Sequence, residues 1–148
     1  MAKSRRSIGL LAGVLGVCAV LAGGATAGAK TTVHVRNTLI GAQVGGNENV
    51  YQVRGSRPGA AVQFIKPNAA GNGGTFTNTT YYGVGTVVAV GQYAVSAGKN
   101  GLISIHSHGR FARGTGLYKH VSGKFTASGT LDPKTGHLKV VVVGTETY

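Results

Sequence analysis

The sequence predicts an all-β protein, on three observations. Its 148 residues include 26 Gly with many Val and Thr, and no long stretch of the residues that favour helix. Short strand-like runs recur between turn signals. One run, Ser122–Leu131, alternates small or apolar residues with polar ones, which is typical of a half-buried antiparallel strand.

The first 29 residues have the organisation of a secretory signal peptide. Three basic residues are followed by the uncharged run Ile8–Ala22 and by the small residues Ala25-Thr26-Ala27, a suitable cleavage site. This run is 15 residues long, whereas roughly 20 are needed to span a bilayer. We therefore predict a cleaved signal peptide (1–29), a secreted or periplasmic location, and a single domain (30–148) without a transmembrane segment.

The predicted mature domain is basic and free of cysteine. Cys18 lies in the leader, so a disulfide framework is excluded. From residue 30 onward the chain has twelve Lys and Arg but only three acidic residues, Glu48, Asp132 and Glu146. The net charge of the domain is therefore +9. The basic residues are scattered singly, which favours a solvated surface, with contact to an anionic surface as the alternative. The chain shows no basic stripe interleaved with aromatics, so no specific nucleic-acid partner is expected.

Eight segments are predicted to be strands, with loops over 38–46 and 66–74. The strands are Thr31–Arg36, Asn49–Arg54, Ala61–Ile65, Thr75–Tyr82, Gly85–Val95, Leu102–Phe111, Ser122–Leu131 and Leu138–Thr147. Turn residues separate them, and in the last turn Asp132 is expected to cap a chain reversal in which Gly136 adopts positive φ.

Eight short strands indicate a barrel or a sandwich. Val87, Ala89, Gly91, Tyr93 and Val95 form one face of the fifth strand, and the unbroken run Val140–Val143 predicts a last strand covered on both sides. Glycines within strands allow the bends that closure needs, and closure removes exposed edges. We therefore predict one antiparallel eight-stranded barrel.

The C-terminal half resembles the allene oxide cyclase and dirigent barrel superfamily. The resemblance rests on Phe111, Gly114-Thr115-Gly116, Tyr118, on Gly123 with Phe125, and on Gly129-Thr130-Leu131, and it covers about the last 60 residues. It implies an eight-stranded antiparallel barrel with an apolar cavity, and relatives that often form homo-oligomers. The motif is structural in that superfamily, so it transfers no catalytic residue.

His106 and His108 are the best candidates for a metal site. Residues i and i+2 of a strand face the same way, so both imidazoles could reach one ion. The favoured interpretation is an outward polar face, because no third ligand stands at a fixed spacing and Arg110 follows the pair. We expect no metal and no cofactor.

Six aromatic residues are candidates for a ligand cavity or for core packing, and packing is favoured. Phe111, Tyr118 and Phe125 are expected to pack around the last hairpin. Tyr81, Tyr82 and Tyr93 are the better candidates for lining a ligand pocket.

Catalytic signals are few. The chain shows no nucleophile elbow, P-loop or dinucleotide motif. Glu146 is interpreted as a solvated residue at a strand end rather than as a barrel-interior acid with a raised pKa.

Three functions remain. The favoured one is a secreted, non-catalytic barrel that binds a small apolar ligand or a partner surface. The alternative is a cyclase-like or isomerase-like enzyme of the allene oxide cyclase or dirigent type. An outer-membrane barrel is disfavoured, because eight spanning strands would consume nearly the whole domain.

Overall fold

The computed structural model of the protein describes residues 30–148, which form one closed antiparallel barrel of eight strands. The predicted signal peptide lies outside the described residues. The strands are β1 (Thr32–Gly45), β2 (Glu48–Gly55), β3 (Gly59–Pro67), β4 (Gly73–Tyr82), β5 (Gly85–Ala97), β6 (Ile103–Gly114), β7 (Ser122–Leu131) and β8 (His137–Thr147). Two single-turn 3₁₀ helices, Lys99–Gly101 and Gly116–Tyr118, lie in the β5–β6 and β6–β7 connections. The predicted all-β barrel is confirmed.

Each strand pairs with its neighbours in the chain, and β8 returns to pair with β1. Thr32 lies opposite Thr147, and Ala42 lies opposite His137. This closing seam leaves no edge strand in the barrel, so the strand ladders are completed without a partner chain. Among the described residues, no helix is long and apolar enough to cross a membrane.

Residues 38–45 form the second half of β1 rather than a loop, and only Gly46 of the predicted loop lies outside the strands. Gly41 and Gly45 weaken the strand signal of this segment. Pairing overrides that weakness, because Thr38–Ala42 is hydrogen-bonded to β2 on one side and to β8 on the other. A bulge between Gln43 and Gly45 then ends the regular ladder. The second predicted loop is shorter than expected, with only 68–72 outside the strands.

Alternation decides which side chains enter the barrel. On β5 and β7 the predicted apolar faces, exemplified by Val87, Ala89, Phe125 and Ala127, point inward and are buried. The prediction for β8 is wrong in part. Val140 is buried inside, whereas Val143 lies on the outer face and is 44% exposed, because a barrel without outer helices covers only one face of each strand.

The β7–β8 turn confirms the predicted role of Asp132. Its Oδ1 accepts a hydrogen bond from the backbone N–H of Lys134 at 2.8 Å, and its carbonyl accepts one from Gly136, whose φ is +71°. The bond from Lys134 lowers the pKa of the Asp132 carboxyl.

The β6–β7 connection depends on two glycines. Gly116 has φ +58°, and a β-carbon there would clash with the carbonyl oxygen of Val84. Gly114 has an ordinary backbone, but a β-carbon would lie 2.7 Å from the carbonyl oxygen of Thr86 and 2.8 Å from Cβ of Tyr118. Left-handed backbone and close approach both exclude a branched side chain.

We expect Gly114→Val and Gly116→Val each to lower the free energy of unfolding by about 1–3 kcal/mol. Denaturant unfolding monitored by circular dichroism measures the change. Gly46→Val is the matched control, because no atom lies within 4 Å of the β-carbon position and the backbone is not left-handed there. Parent-like stability of both hairpin variants would contradict the expected strain.

Candidate functional site

The barrel encloses a cavity of about 140 Å³ that runs along its axis. Its middle is apolar, with Leu39, Phe76, Ala89, Phe125 and Val140 among the lining residues. Cavities of this size and polarity in other proteins hold a benzene-sized molecule. The interior can therefore accept a compact ligand of about six to eight non-hydrogen atoms.

Polar side chains line both ends of this cavity. At one end, which we call the mouth, Gln63 Oε1 accepts hydrogen bonds of 3.0 Å from Asn49 Nδ2 and from the Tyr51 hydroxyl. Gln43 is exposed there, and Tyr93 is half-buried. Burial raises the pKa of Tyr51 well above its ordinary value.

The opposite end, which we call the closed end, holds a cluster of aromatic residues around the buried Tyr118. Tyr118 is 3% exposed and stands between Tyr82 and Tyr148, with ring centroids 5.3 Å and 5.4 Å away. Arg57, from the β2–β3 connection, places its guanidinium carbon 5.1 Å from the Tyr118 ring centroid and 4.9 Å from that of Tyr148. Its Nη2 also donates to the Tyr148 hydroxyl at 2.8 Å. These contacts pack the guanidinium and the three rings together at this end of the barrel.

Glu146 lies inside the closed end, so its interpretation as a solvated residue is wrong. It is 0% exposed, and its Oε2 forms an ion pair with Nη1 of Arg57. Its other carboxylate oxygen, Oε1, has no hydrogen-bond partner among the described residues. Burial raises the pKa of Glu146, and the guanidinium of Arg57 opposes this rise.

The sequence did contain a signal for this placement. Val140 and Val142 face the cavity, and continuing their period of two through Gly144 brings Glu146 to the same face. No local pattern indicates its partner, because Arg57 lies 89 residues earlier in a connection.

A second set of polar side chains lies on the inner face of β4, along the cavity wall. Asn78 Nδ2 donates to Oγ1 of Thr80 at 2.9 Å, and both residues are buried. Asn78 lines the cavity, and its buried Oδ1 has no partner among the described residues. Tyr82 lies on the same face of β4. Its pKa is raised to about 12, first by burial and second by the negative charge of Glu146.

We expect the barrel to lose stability in alkali between about pH 10 and pH 12. The pKa of Tyr82 rises from 10.0 to about 12 on folding, so in this range the unfolded chain loses its proton first and the stability falls as the pH rises. Tyr82 accounts for about 2 kcal/mol of this loss. Unfolding by urea at pH 9 and pH 11.5 measures it, and Tyr82→Phe should flatten the dependence. An unchanged slope in Tyr82→Phe would contradict the assignment.

The three predicted pocket residues lie on different faces of the barrel wall. Tyr82 and Tyr93 line the cavity. Tyr81 lies on the outer face and is 51% exposed, because it is one residue out of phase with Tyr82. Phe111 and Phe125 pack against each other with centroids 5.2 Å apart, as expected around the hairpin, and also line the cavity.

His106 and His108 project from the outer wall, as the favoured interpretation predicted. Both are exposed and border a shallow outer groove. His108 lies opposite Thr126, and Arg110 lies opposite Lys124. The part of the chain that the structure describes contains no group of three His, Cys, Asp or Glu residues placed to hold a metal ion.

Basic residues are concentrated on one half of the outer wall. The outward faces of β6, β7, β8 and β1 carry Arg36, Arg110, Arg113, Lys124 and Lys139, with four histidines among them. The outward faces of β2–β5 carry only Arg54 and Lys66. Arg110 and Lys124 are like charges in directly opposed positions and repel each other. The excess of basic residues makes this half of the wall electropositive.

Comparisons of the chain with protein-family models, with curated proteins and with solved structures gave no match.

Proposed function

We propose that the protein is a secreted binding protein whose barrel takes up one small apolar molecule. The observation that carries this proposal is the cavity of about 140 Å³ inside the barrel, which has a mostly apolar lining. Transfer of apolar surface from water into such a cavity is favourable. The resemblance of the C-terminal half to barrels with apolar cavities supports the same function.

The test is titration with methylcyclohexane, followed by two-dimensional NMR of the backbone amides. We expect a dissociation constant on the order of 0.1–1 mM, as suits a ligand of about seven non-hydrogen atoms. The largest shifts should fall on residues that line the cavity, and native mass spectrometry of protein purified from its host should show a bound small molecule. Saturable shifts confined to the outer wall would contradict the proposal.

Two alanines on one strand provide matched variants for this titration. Ala89 faces the cavity and is 6% exposed, whereas Ala94 lies on the outer face of the same strand. Ala89→Leu should fill part of the cavity and abolish binding, while Ala94→Leu should leave binding unchanged. Equal affinity of the two variants would place the ligand elsewhere.

A second candidate function is an isomerase-like or cyclase-like reaction. Glu146 favours it, because it is a buried carboxylate among the residues that line the cavity, and a carboxylate is a suitable general base. The absence of turnover with any epoxide or enolisable ligand that binds in the cavity would count against this candidate.

The basic half of the outer wall suits contact with an anionic surface, which we propose as a secondary interaction. Retention on an anionic polysaccharide column should fall steeply with added salt. Lys124→Gln should weaken retention more than Lys66→Gln, which changes the opposite half of the wall. Equal losses of retention in the two variants would indicate that the column attracts the protein through its net charge alone.

Export by residues 1–29 is part of the same proposal. N-terminal sequencing of the mature protein recovered from its host tests it, with cleavage expected near Ala27.

A further inference from the structure

The shallow groove on the outer wall crosses the strands from β5 to β1. Its polar lining consists of Gln92, His106, His108, Thr126, Ser128 and Arg36. His108 lies between Gln92 and Thr126 in the register. Val143 follows on β8, opposite Arg36 of β1. Five neighbouring strands about 4.8 Å apart give this row of side chains a length of roughly 19 Å.

A second row of side chains runs beside the groove, two residues further along each strand. Arg110 lies opposite Lys124, and Thr145 separates Lys124 from His34. Residues i and i+2 of a strand face the same way and lie about 7 Å apart. The long side chains of Arg110 and Lys124 can therefore reach a molecule that lies in the groove. We call the groove together with this second row the basic groove.

No acidic residue within residues 30–148 compensates the charge of the basic groove. Glu146 faces the cavity inside the barrel, and Asp132 caps the β7–β8 turn. Glu48 lies on β2, which is not one of the strands that form the groove. The only ion pair among the described residues joins Arg57 to Glu146. The cationic groups of the basic groove are therefore available to an anionic partner.

The neutral side chains of the groove narrow the class of partner. Single-stranded nucleic acids are bound by aromatic stacking, and surfaces that bind bilayers combine basic residues with large apolar ones. The outward faces of β6, β7, β8 and β1 carry no Phe, Tyr or Trp, whereas the exposed Phe64 and Tyr81 lie on the other half of the wall. Hydroxyl and amide groups accompany the cations instead. Such a groove on a curved wall suits a flexible linear chain whose anionic groups alternate with hydroxyls.

We propose that the basic groove binds a linear acidic polysaccharide. Its carboxylates pair with Arg36, Arg110 and Lys124, and its hydroxyls bond to the neutral polar side chains of the groove. This inference rests on the proposed contact with an anionic surface and is independent of the ligand cavity. It adds the chemical class of the partner and the residues that bind it.

His34, His106 and His108 make this binding depend on pH. The groups that face them are neutral or basic: Ala94, Gln92, Ser128, Thr126 and Thr145 across the strands, and Arg36, Arg110 and Lys124 one row away. Histidine gains its positive charge as the pH falls from about 8 to 5, whereas carboxylates stay ionised in this range. The affinity should therefore rise as the pH falls, and the bound polymer favours protonation in return.

The first measurement is calorimetric titration of the mature protein with an oligogalacturonate at about 50 mM salt, where surface charges are only partly screened. A neutral maltooligosaccharide of the same length is the control for sugar binding without charge. We expect the oligogalacturonate to bind at least about tenfold more tightly than this control. It should also bind more tightly than an oligothymidylate of equal charge, and phosphatidylglycerol vesicles at equal anion concentration should not displace it.

Two arginine variants test the position of the binding site. Arg36→Gln removes a cation of the basic groove, and Arg54→Gln removes one from β2 with the same change in net charge. Both arginines are exposed. Arg36→Gln should weaken binding of the oligogalacturonate at least about fivefold, and Arg54→Gln less than about twofold.

Two double variants test the contribution of the histidines. The affinity of the parent should rise at least about fivefold between pH 8 and pH 5.5. His106→Gln with His108→Gln should lose most of this rise. His120→Gln with His137→Gln should keep it, because these two histidines are also exposed but do not line the groove.

The outcomes separate this inference from the contact on which it rests. If neither the oligogalacturonate, the oligothymidylate nor the vesicles bind, the proposed contact with an anionic surface itself fails. If the oligothymidylate or the vesicles bind more tightly, the contact stands and the polysaccharide inference is overturned. Equal losses in Arg36→Gln and Arg54→Gln, or an equal rise with acidity in both histidine variants, would also overturn it, because the polymer would then lie outside the basic groove.

Discussion

Arg57→Met should lower the free energy of unfolding by about 3–5 kcal/mol at pH 7. The variant removes the only charged partner that the described residues provide for Glu146, while the carboxylate remains 0% exposed. It also removes the guanidinium that contacts the rings of Tyr118 and Tyr148. Breaking one side of a buried ion pair is far more destabilising than replacing both sides.

The pH dependence of this loss identifies its cause. The ordinary pKa of a glutamate is 4.5, and without Arg57 burial would raise the pKa of folded Glu146 further. The pKa of Glu146 is raised in the folded parent as well, so both proteins lose stability as the pH rises above 4.5, and the variant loses more because the pKa of its folded state is higher. The difference between variant and parent should therefore be small at pH 4 and large at pH 7.

Guanidinium unfolding of the parent, of Arg57→Met and of the double variant Arg57→Met with Glu146→Leu measures these differences. We expect the double variant to regain most of the lost stability at pH 7. A single variant as stable as the parent at neutral pH would show that Glu146 is not held by Arg57.

Phe125→Ala is expected to cost about 3–5 kcal/mol, the second large effect. Phe125 is 7% exposed, and its ring lies 5.2 Å from that of Phe111 and 6.2 Å from that of Phe76 between centroids. Removing the ring joins an empty volume to the cavity, and the remaining side chains lose their contacts across it.

Phe64→Ala is the control for this substitution. Phe64 lies on the outer wall and is 56% exposed, so its loss should change the stability by less than about 0.5 kcal/mol. The enlarged cavity gives a second measurement. Butylcyclohexane should raise the Tm of Phe125→Ala but not that of the parent. Equal losses of stability in Phe125→Ala and Phe64→Ala would show that the inner aromatic cluster adds no more stability than the outer wall.

The sequence predicted the elements of this fold well where side-chain alternation is regular. The inward faces of β5 and β7 follow directly from their period of two, and the number of strands follows from the turns between them. The same rule also predicts that Glu146 faces inward, but the polar residues around it favoured a solvated end. The interpretation of Glu146 gave the polarity of its neighbours more weight than the alternation of side chains along the strand. In a closed barrel that alternation is the stronger constraint.

Other features could not be predicted because they depend on contacts between distant segments. Taken alone, residues 38–45 resemble a loop, but they form a strand because β2 pairs with this segment on one side and β8 pairs with its first half on the other. The partner of Glu146 comes from a connection on another part of the barrel. Val143 is exposed because no segment within residues 30–148 covers it on the outer wall, and the strand sequence is equally compatible with a covered wall.

The seam between β1 and β8 has a consequence for how the chain reaches this state. Thr32 and Thr147 are hydrogen-bonded through their hydroxyls at 3.0 Å, although 115 positions separate them. A nascent chain cannot complete this circle until β8 has left the ribosome, and contacts of such long range make folding slow. Until then the first strand has an open edge that other chains can join. Holding by a chaperone, or passage across a membrane before folding, would shield that edge during synthesis.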